Sequence, residues 1–262
     1  MKQVIDIVRK LQTILWILLV LFLWELASRM GWVNPYLLPP FSEVAVQLKN
    51  ELLLGTLGLQ VLNSLLLVLE GFVISFLLAF IISGLCICSK VIESLFHAIC
   101  TLMNPLPGIA VLPLIMMWFG IGNKAMLILI VHGVLWPLIT NLIIGFKSIP
   151  EVYREWGKNI GLSPLRMLTD IYIGALISYI ISGLRVGWGR AWRALISAEM
   201  VFGMIGSLGG VGYYIYQNRA YANTTNVMVG VLIIVIIGVL VEQIVFRLIE
   251  KLTIERWRGQ NE

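Results

Sequence analysis

Few charges, two histidines and three cysteines are spread over this chain, and each scarcity removes a class of function. Asp, Glu, Lys and Arg make up 13% of the residues against 59% hydrophobic, so the chain lacks the polar surface of a water-soluble domain. Its mean hydropathy of +0.93 makes lipid the preferred solvent. Cys86, Cys88 and Cys100 supply neither four metal ligands nor a Cys-x-x-Cys redox pair, and they read as small packing residues. No Gly-x-x-x-x-Gly-Lys-Ser/Thr loop is present to cradle nucleotide phosphates, Gly145-Phe-Lys-Ser being only superficially similar. No Ser/His/Asp set, carboxylate pair or histidine cluster supports an intramembrane enzyme. No metal or cofactor is expected in this chain.

What is abundant is membrane-length apolar sequence. Crossing about 30 Å of hydrocarbon takes about 20 apolar residues, and helical spacing with interspersed Gly favours helices over barrel strands. Six transmembrane helices are expected, over 12–28, 61–86, 91–119, 124–145, 181–204 and 227–249, giving an all-α polytopic membrane protein. The first run is too long for a secretory h-region and no small-x-small cleavage site follows it, so it is kept as a mature span. The chain divides into 1–60 (first span and external loop), a five-helix core over 61–249 with a cytoplasmic loop at 146–180, and a cytoplasmic tail at 250–262. An amphipathic surface helix is expected around Val44 to Leu54.

Orientation follows from the basic residues, which resist translocation. With the N-terminus inside, the cytoplasmic side holds Lys2, Arg9, Lys10, Lys90, Lys147, Arg154, Lys158, Arg166, Arg247, Lys251, Arg256 and Arg258. The other side holds Arg29, Lys49, Lys124 and Arg219, while Arg185, Arg190 and Arg193 fall in or near the fifth span. Both termini and the polar insert are thus expected in the cytoplasm. The net charge of +5 follows from this bias and requires no nucleic-acid partner.

The most informative segment is the polar insert from Phe146 to Asp170. Ser148 and Glu151 fit a capping box with Pro150 in the first turn, and Gly161 sits where a helix would end. A helix is expected over 149–160, then a second starting at Ser163-Pro164 and running toward the fifth span. The corner is either a knob for a groove on another protein or a solvated connector.

These residues resemble the loop of ABC-importer permeases, which reads Glu-Ala-Ala, three residues, Gly, nine residues, Ile-x-Leu-Pro. Glu155, Gly161 and Ile171 hold the Glu, Gly and Ile positions at that spacing; Trp156 and Gly157 replace the two Ala, Ile173 the Leu and Gly174 the Pro. Asn104-Pro-Leu-Pro-Gly108 with its continuation to Gly122, Ser182-Gly-Leu-Arg-Val-Gly-Trp-Gly-Arg-Ala-Trp192, Ala198-Glu-Met200 and Leu37-Leu-Pro-Pro-Phe-Ser-Glu-Val44 extend the likeness over nearly the whole chain. Together they are similar to the nitrate, sulfonate and taurine branch. The resemblance implies the ABC-importer permease fold, a permease pair formed by a second copy as a homodimer or by one copy with a similar partner, two cytoplasmic ATPases that bind ATP and Mg, and an extracytoplasmic solute-binding protein. It implies an ATPase-coupling set of Glu151, Arg154, Glu155, Gly157, Lys158 and Gly161. Trp156 in place of Ala demands a roomier groove, and the missing Pro at 174 removes a helix start signal.

Inside the spans, Pro105, Pro107, Gly108 and Pro113 bend the third helix, and Gly203, Gly206, Gly209, Gly210 and Gly212 form a break after the fifth that serves as hinge or external turn. Intramembrane charge is costly, so Glu70 and Glu199 are candidate pathway residues with Pro107, His132 and Arg193. Arg185, Trp188, Trp192 and Glu199 share a helical face that either conducts an anion or carries arginines snorkelling to headgroups. Pairing of Glu70 or Glu199 with Arg193 stays open, and His132 is either a proton or solute contact or a helix–helix hydrogen-bonding residue. The expected function is a permease subunit, in a prokaryotic inner membrane, of an ATP-driven importer for a small anionic organic solute. The alternative is an ion-gradient-driven secondary transporter using Glu70, His132 and Glu199.

Overall fold

The computed structural model describes residues 2–163, 166–204 and 209–255, and among these the regular elements are all helical. In chain order they are α1 (Lys2–Arg29), α2 (Phe41–Leu53), α3 (Leu57–Cys88), α4 (Lys90–Met103), α5 (Gly108–Phe119), α6 (Asn123–Ser148), α7 (Glu151–Asn159), α8 (Gly174–Phe202), α9 (Val211–Ala220), α10 (Thr224–Leu240) and α11 (Phe246–Glu250). A π-helical stretch, Met167–Ile173, leads into α8, and another, Val241–Val245, joins α10 to α11. Pro164, Gly206, Arg256 and Arg258 lie outside the described residues, so the second capping signal and part of the glycine break and tail do too.

Among the described residues, five stretches are long and apolar enough to cross a membrane: Leu11–Arg29, Leu57–Cys88, Asn123–Ser148, Ile171–Phe202 and Thr224–Thr253. The expected third span is not one helix. It is split into α4 and α5, bent by 107°. Pro105 and Pro107 have no N–H to return to the preceding turn, so α4 stops at Met103 and α5 starts anew after Pro107.

The packing of α6 shows that the broken pair still carries the chain across. Gly71 of α3 lies against Ile130, Ala79 clusters with Leu138 and Leu142, and Cys86 shares a crevice with Phe146, so α3 and α6 run parallel. The chain must therefore return between them. It does so antiparallel to α6: Glu93 pairs with Lys147, Asn104 Nδ2 donates to Thr140 Oγ1 at 3.2 Å, and Gly108 packs on Leu129. Counted this way, the described residues make six crossings.

Helix α6 is the central rod. Leu129, Ile130, Val134 and Leu138 are fully buried, and half of its most apolar stretch is buried against 6% for α1. Helix α8 packs antiparallel to it along a seam of small residues. A Cβ on Gly133 would stand 3.2 Å from the Ala191 amide nitrogen, and one on Gly183 3.0 Å from Leu138 Cα. Lipid supplies no hydrophobic drive for helices to associate, so close backbone approach through glycine gains the dispersion contacts that hold the pair.

Helix α1 hangs at the periphery. Its end is tied to the following turn by Trp24 Nε1 to the Pro39 carbonyl (2.9 Å) and Ser28 Oγ to the Leu38 carbonyl (2.8 Å). Glu25 accepts from the Ser42 amide at 3.0 Å and so caps α2, which has no side-chain cap of its own. The surface helix expected near 44–54 is α2, starting slightly earlier.

Candidate functional site

The break between α4 and α5 opens a cavity of about 300 Å³ against α6 and α8, close to the midpoint of α6, whose 26 residues span about 39 Å. Its lining brings together Asn104, Pro107, His132, Arg190, Arg193 and Ser197. Ending a helix in mid-membrane frees carbonyls that lipid cannot satisfy. Arg190 meets that demand, donating from Nη1 to the Asn104 carbonyl at 3.1 Å and to Asn104 Oδ1 at 3.0 Å. The Asn104 amide continues through Thr140 to the Trp136 carbonyl, joining α8, the break and α6 in one network. Two hydrogen bonds from a charged donor, about 1.5–3 kcal/mol each, offset the roughly 3 kcal/mol cost of an arginine at this depth.

Arg193 has no such compensation. Among the described residues no carboxylate pairs with Arg190 or Arg193, and the Arg193 guanidinium lies back over Gly189, where a Cβ would be 3.4 Å from both terminal nitrogens. Both ring nitrogens of His132 are buried without a hydrogen-bond partner, and its ring meets Trp136 edge-on at 6.3 Å. Gly108 and Ile109, the first residues of α5, line the same space, so the positive end of that helix adjoins it. The cavity is cationic.

Of the other candidates in the spans, Glu70 is exposed on the outer side of α3, away from the cavity. Glu199 is 3% exposed and accepts from the Gly212 amide at 2.9 Å. It belongs to a separate knot in which the Val211 amide donates to Ser64 Oγ (3.0 Å) and Asn63 Nδ2 to the Gly209 carbonyl (2.7 Å). Neither glutamate pairs with Arg193. The shared face of α8 also divides: Arg185 pairs with Glu250 at 3.0 Å, whereas Trp188 and Trp192 stack at 5.3 Å in the core. Asn104 and Ser197 were not singled out from sequence as pathway residues; an Asn directly before a Pro-x-Pro break was the available signal.

At the end of α6, the chain turns at Ile149-Pro150 into α7. The expected capping box does not form, because Ser148 is still the last residue of α6 and donates back to the Gly145 carbonyl at 2.7 Å, leaving Pro150 at the N-cap. The other end matches expectation. Gly161 has φ +71°, and the Leu162 and Gly161 amides donate to the Gly157 and Lys158 carbonyls at 2.9 and 3.0 Å, a Schellman closure that only a left-handed residue allows readily. Glu151, Glu155 and Lys158 face solvent, as do Tyr153 and Trp156, the latter 68% exposed. Gly157 faces inward, packed on Met167 and Ile171. The side chain of Arg154 lies outside the described residues.

A six-crossing helical bundle with a helix broken at a polar cavity and a short polar helix projecting from one end defines a polytopic transport protein. The family described as the binding-protein-dependent transport system inner membrane component matches residues 71–255, and the chain belongs to it. It is therefore a multi-pass permease of an ABC importer, a transport component and not an enzyme. It is 26% identical over 243 residues to the putative aliphatic sulfonates transport permease protein SsuC of Bacillus subtilis, covering 93% of this chain and 86% of that one. It is 28% identical over 183 residues to the nitrate import permease protein NrtB of Synechococcus elongatus, covering 70% and 62%. It is also 28% identical over 172 residues to the taurine transport system permease protein TauC of Escherichia coli, covering 66% and 60%. The chain thus falls in the nitrate, sulfonate and taurine branch.

Proposed function

We propose that the chain moves a small anionic solute of the sulfonate, taurine or nitrate type by alternating access, driven by two ATPase subunits that bind ATP and Mg and engage α7. The observation that carries this is α7 itself. It is a nine-residue helix presenting exposed Tyr153 and Trp156 among charged neighbours, directly after the central rod α6. Exposed aromatics of this kind are the usual anchors of protein interfaces. A push on α7 passes into α6 and, through Gly157 against Met167 and Ile171, into α8. Because α6 and α8 border the cavity, displacement at one end changes access in the middle.

The rest of the assembly follows as part of the same reading: both termini and α7 in the cytoplasm, a second copy of the permease as homodimer partner, and an external binding protein that delivers solute. The roles assigned to Glu151, Arg154, Glu155, Gly157, Lys158 and Gly161 belong to it. An ion-gradient mechanism has less support, since Glu70, exposed on α3, and Glu199, held in the Ser64 knot, are not gathered with His132.

The test is co-purification of the permease with its ATPases and uptake in proteoliposomes for Trp156→Ala and Glu155→Lys. Loss of an interface anchor costs about 2 kcal/mol, so ATPase affinity falls about thirtyfold while the spans stay folded. Wild-type affinity and uptake in both variants would remove α7 from the coupling path. Uptake that stops when the proton gradient is collapsed at constant ATP would instead favour the secondary transporter.

A further inference from the structure

The cavity at the α4–α5 break combines features that a structural kink alone does not require. One arginine, Arg190, suffices to satisfy the interrupted helix at Asn104. Arg193, one turn further along α8, reaches the same space and makes no ion pair among the described residues. Two guanidiniums facing one small cavity repel each other unless an anion sits between them. Around them stand further residues able to donate: His132, with both ring nitrogens buried and unpartnered, Ser197, and Gly108 and Ile109 at the start of α5. Every charged group lining the cavity is positive.

We infer that this cavity is an anion-binding site in the membrane, taking a small oxyanion head group with Arg193 and His132 as its ligands and Arg190 as the group that both holds the break and adds positive field. This deepens the importer reading and rests on it for the solute class. The size fits, because about 300 Å³ lies at the small end of ligand pockets and admits a sulfonate or nitrate but not a large amphiphile. The depth favours a solute over a lipid phosphate, since the site lies near the midpoint of α6 and not at a headgroup level. The planar, always-charged guanidinium matches an oxyanion through paired N–H donors. Binding here lets a solute replace its hydration shell at the point where the bundle changes access.

The experiment measures binding of radiolabelled methanesulfonate to the purified permease in nanodiscs, alone and with its ATPases, with nitrate and uncharged dimethyl sulfone as competitors. Saturable binding that nitrate displaces and dimethyl sulfone does not, weakened at least tenfold by Arg193→Gln and less by Arg193→Lys, which keeps the charge but not the paired donors, supports the site. His132→Ala weakens it further, and His132→Gln, which keeps an N–H donor, restores part of the loss. No saturable binding by the folded wild type, equal binding by Arg193→Gln, or displacement by dimethyl sulfone overturns it. Binding that varies with the phosphatidylglycerol content of the nanodisc and not with methanesulfonate concentration overturns it in favour of a lipid phosphate. Trp156→Ala separates this inference from the coupling proposal: it weakens ATPase binding and leaves methanesulfonate binding to the permease alone at the wild-type level.

Discussion

Arg190 on α8 grips Asn104 twice, through its main-chain carbonyl and its side-chain oxygen, at the point where two prolines interrupt the third crossing. The polar clamp and the break depend on each other. Without the break there is no free carbonyl to satisfy, and without the guanidinium the break leaves an unpaired acceptor in lipid.

That dependence is measurable as coupling. Asn104→Ala and Arg190→Met should each lower thermal stability in detergent, by about 1.5–3 kcal/mol. The double variant should lose clearly less than the sum, with a coupling of about 1–3 kcal/mol. Additive losses in a double-mutant cycle would show that the two residues act independently.

The glycine seam makes a contrasting pair of predictions. At Gly183 a Cβ would meet Leu138 Cα at 3.0 Å, so Gly183→Val should separate α6 from α8 and cost about 1–3 kcal/mol. At Gly84, on the same kind of apolar helix, nothing lies within 4 Å. Gly84→Ala should be neutral or stabilising by up to about 1 kcal/mol, as helix propensity predicts. Thermal unfolding of the two variants side by side checks the seam, and equal behaviour would refute it.

The cysteines report orientation without any engineering. Cys86 and Cys100 are buried at 1% and 5% exposure, while Cys88 is exposed at the end of α3 that also carries Glu93, Lys147 and α7. A membrane-impermeant maleimide should therefore label one site, Cys88, in inverted vesicles and leave intact cells unlabelled. Labelling from outside would place α7 on the wrong face for an ATPase.

Gly157 should respond differently from its neighbours on α7. A Cβ there would come within 2.4 Å of Met167 Sδ and 2.8 Å of Ile171 Cδ1, both flexible ends of side chains. Gly157→Ala is expected to be absorbed with less than about 1 kcal/mol lost, whereas Gly157→Phe should tilt α7 and lower ATP-driven uptake several-fold. Uptake by the Phe variant at the wild-type rate would mean that the α7–α8 contact transmits nothing.

Hydropathy was enough to place the spans to within a few residues at most ends, because crossing lipid imposes a length and an apolar composition that show in the order of residues. The exception was the fifth, expected from 181 and found from Ile171, where the polar residues of Thr169 to Tyr179 masked a continuous helix. Pro105 and Pro107 announced a disturbance, but a proline states only that a hydrogen bond is missing and not how far the chain turns. The capping box at Ser148 failed for a related reason. Whether a serine caps the next helix or closes the last one depends on where the earlier helix stops.

Sequence alone therefore determined that this is a helical membrane protein with a short polar helix at one end, since lipid solvation and local capping act on neighbouring residues. Tertiary structure decided which charges matter. Glu70, Glu199, Arg185, Arg190 and Arg193 are alike in a hydropathy profile, yet one faces outward, one holds a glycine loop, one pairs with Glu250, one clamps Asn104 and one is left facing a cavity. In helices apolar on every side no stripe marks the inner face, so the partner of each charge is set by how the rods pack.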